Sequence, residues 1–220
     1  MRYQFLSHIY TNEQPVYGGT AEIKIDKIKS INAGDSSNVF QFTIQNHWGT
    51  HVDAPNHFFE NGRKVADYPP EFWFFAKPQI IDVELNMGEI LVPGDWLNGI
   101  GSDTDILLFR SGWCKRRNDR SYTTENPGIH PDIGICLRKN YPNLRTIGID
   151  WISLSSYLNR ELGREAHKAF LDPKEDNEPI LIIEDMYLSG NLNGLVDVLV
   201  FPLMIEQLDS APCTVIGVLE

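Results

Sequence analysis

VFQFTIQNHWGTHVDAPNH, residues 39–57, changes character halfway along. From Val39 to Gln45 it alternates, with Phe40, Phe42 and Ile44 on one face and Gln41, Thr43 and Gln45 on the other. A period of two predicts a half-buried strand. Beyond it three histidines and an aspartate fall within eleven residues: His47, His51, Asp53 and His57. All four continue the odd-numbered polar face. Gly49 and Pro55 interrupt the regular pattern, so the later residues are expected on a turning loop, where side chains distant in register converge on one point.

Working outward, Gln79–Leu85, Asp105–Phe109, Thr146–Ile149, Ile180–Ile183 and Leu195–Leu203 read as further strands. Several are continuous apolar runs, as in strands covered on both faces. Asp132–Asn140 and Ser155–Phe170 read as helices with their charges on one side. Few helices among many strands predict one mixed α/β domain over residues 1–220 rather than a regular alternation of strand and helix. DPKEDNE, residues 172–178, reads as a short acidic loop.

The chain has 220 residues, 42% hydrophobic and 22% charged, which is ordinary for a globular protein and excludes disorder as its main state. Thirty acidic against nineteen basic residues give a net charge of −11. Such a surface repels nucleic acid and anionic lipid, so neither is an expected partner. No apolar run has membrane-spanning length, and MRYQFLSHIY lacks the basic-then-apolar pattern of a secretion signal. Cys114, Cys136 and Cys213 are scattered and odd in number, forming neither a metal pair nor a disulfide framework. The expected compartment is cytoplasmic.

A lone histidine is ordinarily a hydrogen-bonded core or surface residue. Three around one aspartate are a different matter. Imidazoles with a carboxylate suit Zn²⁺, Mn²⁺ or Fe²⁺, and three protein ligands leave a position for water, the arrangement of a catalytic site. No phosphate-binding glycine loop, serine elbow or zinc-protease helix competes with this reading.

HWGTHVDAPNH resembles the HxGTHxDxPxH signature of the cyclase family of metal-dependent hydrolases, which includes bacterial kynurenine formamidases and isatin hydrolases. LSHIY (6–10), PVYGG (15–19), LLFRSGW (107–113), IGIDWISLS (147–155), AHKAF (166–170), the run through Glu184 and APCTVIGV (211–218) follow in the family's order. The resemblance implies a mixed-sheet domain of the swivelling β/β/α type. It makes His47, His51 and Asp53 ligands of a divalent metal, zinc or manganese. It makes Asp53 a bridge to a second metal held by His167 and Glu184, and His57 the general acid/base. The acidic loop lengthens the connection between His167 and Glu184 relative to the formamidases. Without the resemblance, His167 would be an ordinary helix histidine and Glu184 a solvated charge at a strand end.

Tyr17 stands where formamidases carry a substrate-facing tryptophan, and either stacks on substrate or packs a turn. Trp48, between two ligands, is a candidate pocket wall. Phe72–Phe75 suits core or subunit packing, and Arg110 either a substrate carboxylate or a salt bridge. His8 and His130 are expected to be structural. The resemblance implies hydrolysis of a small amide, an aryl formamide or a cyclic amide, by a homodimer or homotetramer. A metal-dependent cyclase or dehydratase of a polyketide-like substrate and a non-catalytic metal scaffold are the alternatives.

Overall fold

The computed structural model describes residues 1–174 and 177–220. In chain order its strands are β1 (Arg2–Phe5), β2 (Glu13–Val16), β3 (Gly19–Glu22), β4 (Lys24–Lys29), β5 (Val39–Thr43), β6 (His51–Asp53), β7 (Phe74–Phe75) and β8 (Pro78–Asp82). They continue as β9 (Ile90–Leu91), β10 (Ile106–Arg110), β11 (Gly128–Ile129), β12 (Thr146–Ile149), β13 (Leu181–Glu184), β14 (Leu195–Pro202) and β15 (Ser210–Leu219). Three α-helices are described: α1 (Arg120–Thr124), α2 (Pro131–Asn140) and α3 (Arg160–Leu171).

A nine-stranded mixed sheet organises the molecule in the order β7-β14-β15-β6-β13-β12-β10-β8, with β1 on β15. β8, β10, β12 and β13 are mutually parallel, and the strands from β6 onward are antiparallel. Parallel neighbours cannot be joined by a tight hairpin. The returns from β10 to β12 and from β12 to β13 carry α2 and α3, which pack together over one face of the sheet.

Period two then divides the apolar runs between two cores. Ile106, Leu108, Leu181 and Ile183 join Leu6, Val52, Val198 and Val215 on one face. Leu107, Phe109, Ile147, Ile149 and Ile182 join Ile133, Leu137 and Phe170 of the helices on the other. Both faces of the parallel strands are therefore apolar, as their sequences predict. Each fully buried Leu, Ile or Phe contributes about 1.5–3 kcal/mol relative to exposure.

Three sequence expectations are corrected. The Val39–Gln45 strand is not half-buried within this chain. Among the described residues β5 pairs only with β4, outside the main sheet, and Phe40 and Phe42 are exposed. Residues 51–53 are a strand at the centre of the sheet, not a turning loop, because β6 is hydrogen-bonded on both sides by β13 and β15. The second helix begins at Arg160 rather than Ser155, since Asn126 and Ser156 tie the preceding segment into a turn. The core packing expected of the aromatic run is found at Trp73 and Phe75, while Phe74 is exposed.

Arg110 makes a bidentate pair with Asp82 at 2.5 and 2.8 Å. His130 caps α2 by accepting from the Asp132 amide. Of the acidic loop expected over 172–178, Glu175 and Asp176 lie outside the described residues. Among the described residues no helix is long and apolar enough to cross a membrane.

Candidate metal centre

The register of β6 builds the centre. His51 lies opposite Glu184 of β13, and Asp53 opposite Ile182. Directly opposed residues share a face, and Ile182 belongs to the helix-covered core. His51, Asp53 and Glu184 therefore point toward α3, while Val52 and Ile183 face the other core. From α3, His167 meets them. Its Nε2 lies 3.3 Å from Glu184 Oε1 and 3.8 Å from Asp53 Oδ2. On the other side His47 Nδ1 is 3.2 Å from Asp53 Oδ1, and His51 Nε2 is 3.4 Å from Glu184 Oε2.

Two glycines make this convergence sterically accessible. Gly49, at φ +67°, turns the chain from His47 into β6, and a Cβ there would meet the Tyr10 ring at 2.8 Å. Gly163 lets α3 approach the Ser153–Ser155 segment; a Cβ would lie 2.1 Å from Ser155 Oγ. Both glycines also orient the imidazoles. His51 Nδ1–H donates to the Gly49 carbonyl at 2.7 Å, and His167 Nδ1–H donates to the Gly163 carbonyl at 2.8 Å. Each bond fixes a tautomer whose Nε2 lone pair faces the carboxylates.

Glu184 Oε1 accepts from the Leu154 amide at 2.6 Å and the Ser153 hydroxyl at 3.2 Å. The next residue, Asp185, takes a left-handed φ of 53° and turns the chain away. Such a conformation is rare outside glycine. Here it is held because Asp185 is clamped by Arg117 at 2.8 Å and the Tyr122 hydroxyl at 2.5 Å.

Burial alone would discharge every group in this cluster, yet their mutual attraction outweighs it. Asp53 and Asp209 push the His47 imidazole up to about 10. Asp53 and Glu184 raise His51 and His167. In turn, the neighbouring imidazoles hold Asp53 and Glu184 below the usual carboxylate range. Two buried atoms, His51 Nε2 and Asp53 Oδ1, still have no hydrogen-bond partner. Orphaned acceptors 3.6 Å apart in an imidazole–carboxylate set fit a divalent transition metal. His47, Asp53 and His57, and separately His51, Asp53 and Glu184, present donor atoms close enough to share an ion.

Exposure is uneven across the centre. His51, Asp53, His167 and Glu184 are buried, whereas the His47 and His57 side chains are 32% and 26% exposed. The five expected ligands and His57 are thus brought together, and the longer connection between His167 and Glu184 leaves the pair in contact. The Tyr17 hydroxyl donates to the Ser156 carbonyl at 3.1 Å, and its ring packs edge-on against Tyr157. Burial, with a contribution from Glu184, pushes that hydroxyl up to about 12, so it stays protonated. Trp48 is half-buried in the turn after His47, and its carbonyl accepts from Tyr10.

One residue of the cluster is invisible in sequence. Asp209 Oδ2 lies 2.7 Å from His57 Nδ1 and 3.2 Å from His47 Nε2. No pattern marks it. Only the β15–β6 register, which sets Ser210 opposite Asp53, delivers the preceding residue to the site.

A family model described as "Putative cyclase" matches residues 5–156. A kynurenine formamidase of Bacillus mycoides is 26% identical over 209 residues, covering 94% of this chain and 92% of the relative. A kynurenine formamidase of Bacillus cereus is 29% identical over 179 residues, covering 80% and 78%. Among solved structures, isatin hydrolase A from Labrenzia aggregata bound to benzyl benzoate superposes with a TM-score of 0.77 at 21% identity, covering all of this chain and 94% of that one.

Proposed function

Because the chain belongs to the cyclase family, we propose that it is a metal-dependent amidohydrolase cleaving a small amide, an aryl formamide or a cyclic amide. The observation that carries this reading is the unevenly exposed cluster: buried ligands with orphaned lone pairs, and a partly exposed imidazole beside them. A fully enclosed site would suit a structural ion instead.

His47, His51 and Asp53 would hold a first metal, zinc or manganese, and Asp53, His167 and Glu184 would hold a second. When bound, the metal supplies Lewis acidity and brings the pKa of water toward neutrality. His57 takes a proton from the attacking water and returns it to the leaving nitrogen, without which the amine is a poor leaving group. Asp53 and Glu184, both ionised, balance the cationic charge in a buried setting. Tyr17 and Trp48 line the approach and select a flat, apolar substrate body. Relatives named as kynurenine formamidases and an isatin hydrolase support an amide next to an aromatic ring. The test is chelation and reconstitution with Zn²⁺ or Mn²⁺, followed by hydrolysis assays on aryl formamides, isatins and simple lactams. Turnover of one amide class only after reconstitution is expected. Equal turnover without metal overturns the reading.

The protein acts as a homodimer or homotetramer. An isolated two-stranded hairpin is marginal in water, and the β4–β5 arm exposes Ile25, Ile28, Phe40 and Phe42. A second copy covers it. Sedimentation of wild type and Phe42→Asp tests this: a stable oligomer that the substitution dissociates is expected, and a monomeric wild type contradicts it. A cytoplasmic setting fits the free thiols of Cys114, Cys136 and Cys213.

A further inference from the structure

We propose that Asp209 is a positioning residue that sets the tautomers of His57 and His47 together through a single carboxylate oxygen. The catalytic half of this assignment rests on the amidohydrolase reading above.

Asp209 is itself tightly placed. It precedes Ser210, the first residue of β15, whose partner across the ladder is Asp53. Its backbone carbonyl accepts from the Ala54 amide at 2.9 Å, so the main chain is tied to the residue after Asp53. Its Oδ1 accepts from Asn46 Nδ2 at 2.7 Å, and the same amide group reaches the Ser210 carbonyl at 3.3 Å. With Oδ1 occupied, Oδ2 is left to accept from the two imidazoles.

The geometry assigns a proton to each ring. His57 Nδ1 at 2.7 Å must be the donor, because an ionised carboxylate only accepts. Neutral His57 then carries its lone pair on Nε2, the nitrogen free to take a proton from water. His47 Nε2 at 3.2 Å donates to the same oxygen. Its Nδ1, 3.2 Å from Asp53 Oδ1, is left as the nitrogen that would face a bound metal. The two rings lie 4.2 Å apart between centroids. One carboxylate therefore aligns a ligand and a proton carrier, so metal affinity and proton transfer share a common support. Outer partners of metal-bound histidines typically contribute 10–100-fold to affinity or activity.

Asp209→Asn keeps the shape but removes the charge. On zinc-loaded protein, ¹⁵N spectroscopy of the imidazoles should show wild-type His57 as a single Nδ1–H tautomer. In Asp209→Asn a mixture with Nε2–H is expected. Zinc affinity, measured by competition with a chelator, should fall about tenfold, and kcat about 10–100-fold with KM little changed. Asp209→Glu should recover part of the tautomer preference. If Asp209→Asn does not fold, Asn46→Ala, which frees only Oδ1, is read by the same spectrum and should show a smaller shift to Nε2–H. An unchanged His57 tautomer with unchanged zinc affinity overturns the proposal. Tautomer and affinity are read without turnover. If they shift as expected and no amide is hydrolysed, the amidohydrolase reading fails and the positioning assignment stands.

Discussion

Glu184 stands directly opposite His51 across the β13–β6 ladder, with Oε2 3.4 Å from Nε2. That one antiparallel pairing brings a glutamate from the last third of the chain to a histidine of the first quarter. It also fixes the side on which α3 must deliver His167. The sheet sets the spacing of the centre, and the loops that carry His47 and His57 close it.

The two oxygens of Asp53 face different partners, Oδ1 toward His47 and His51, Oδ2 toward His167. A bridging carboxylate is expected to hold two ions. Crystals of the metal-loaded protein should give two anomalous peaks about 3.5–4 Å apart. His167→Ala should retain one equivalent by elemental analysis and lose the other. One peak in wild type, unaffected by His167→Ala, would leave a single-metal centre.

His57→Ala should keep its metal and its fold. It should lose roughly 10²–10⁴-fold in kcat, the usual worth of a positioned acid/base. His47→Ala should lose metal and activity together. Metal content and initial rate on the same preparations separate the two outcomes. Metal loss in His57→Ala equal to that in His47→Ala would make His57 a ligand.

The three cysteines should differ sharply in reactivity. Burial, with Asp150 nearby, pushes the Cys114 thiol up to about 12. Burial and Asp53 push the Cys213 thiol up as well. Cys136 is only partly buried. Since the thiolate is the nucleophile, intact-mass measurement after maleimide treatment at pH 7 should find one adduct, at Cys136, and three in denaturant. A native adduct on Cys213 would mean that the core around Val52 and Val215 opens.

His8, which reaches Thr50 and Asp185 beside the centre, supplies a pH dependence of its own. Burial lowers its imidazole to about 4, against the pull of Asp185 and with Arg117 adding to the lowering. The native state therefore binds fewer protons there than the unfolded chain. Its contribution is fully present above pH 6.5 and is lost as pH falls from 6.5 to 4, about 3 kcal/mol in all. Urea unfolding of the metal-free protein at pH 7, 5.5 and 4.5 should show wild type losing more stability than His8→Phe. Parallel losses in the two proteins would contradict this.

Much of the centre was legible because it is local. His47, His51, Asp53 and His57 fall within eleven residues, so one stretch of chain displays them together. The apolar strands were legible because burial on both faces leaves continuous runs such as Ile106–Phe109. His167 and Glu184 were reached only through resemblance, since a helix histidine and a strand-end glutamate carry no signal until the fold pairs them. Asp209 depends wholly on register, which no local pattern encodes. The exposed β4–β5 arm was misjudged for a physical reason: alternation reports that a face will be covered, not that the same chain covers it.

The most direct test of the account is a titration of Zn²⁺ or Mn²⁺ into the metal-free protein, with bound metal and initial rate of aryl formamide or isatin hydrolysis followed together. The rate should rise in proportion to occupancy and reach a plateau when the His47–His51–Asp53 site is full. Full activity without metal, or a saturated protein that hydrolyses neither amide, would contradict it.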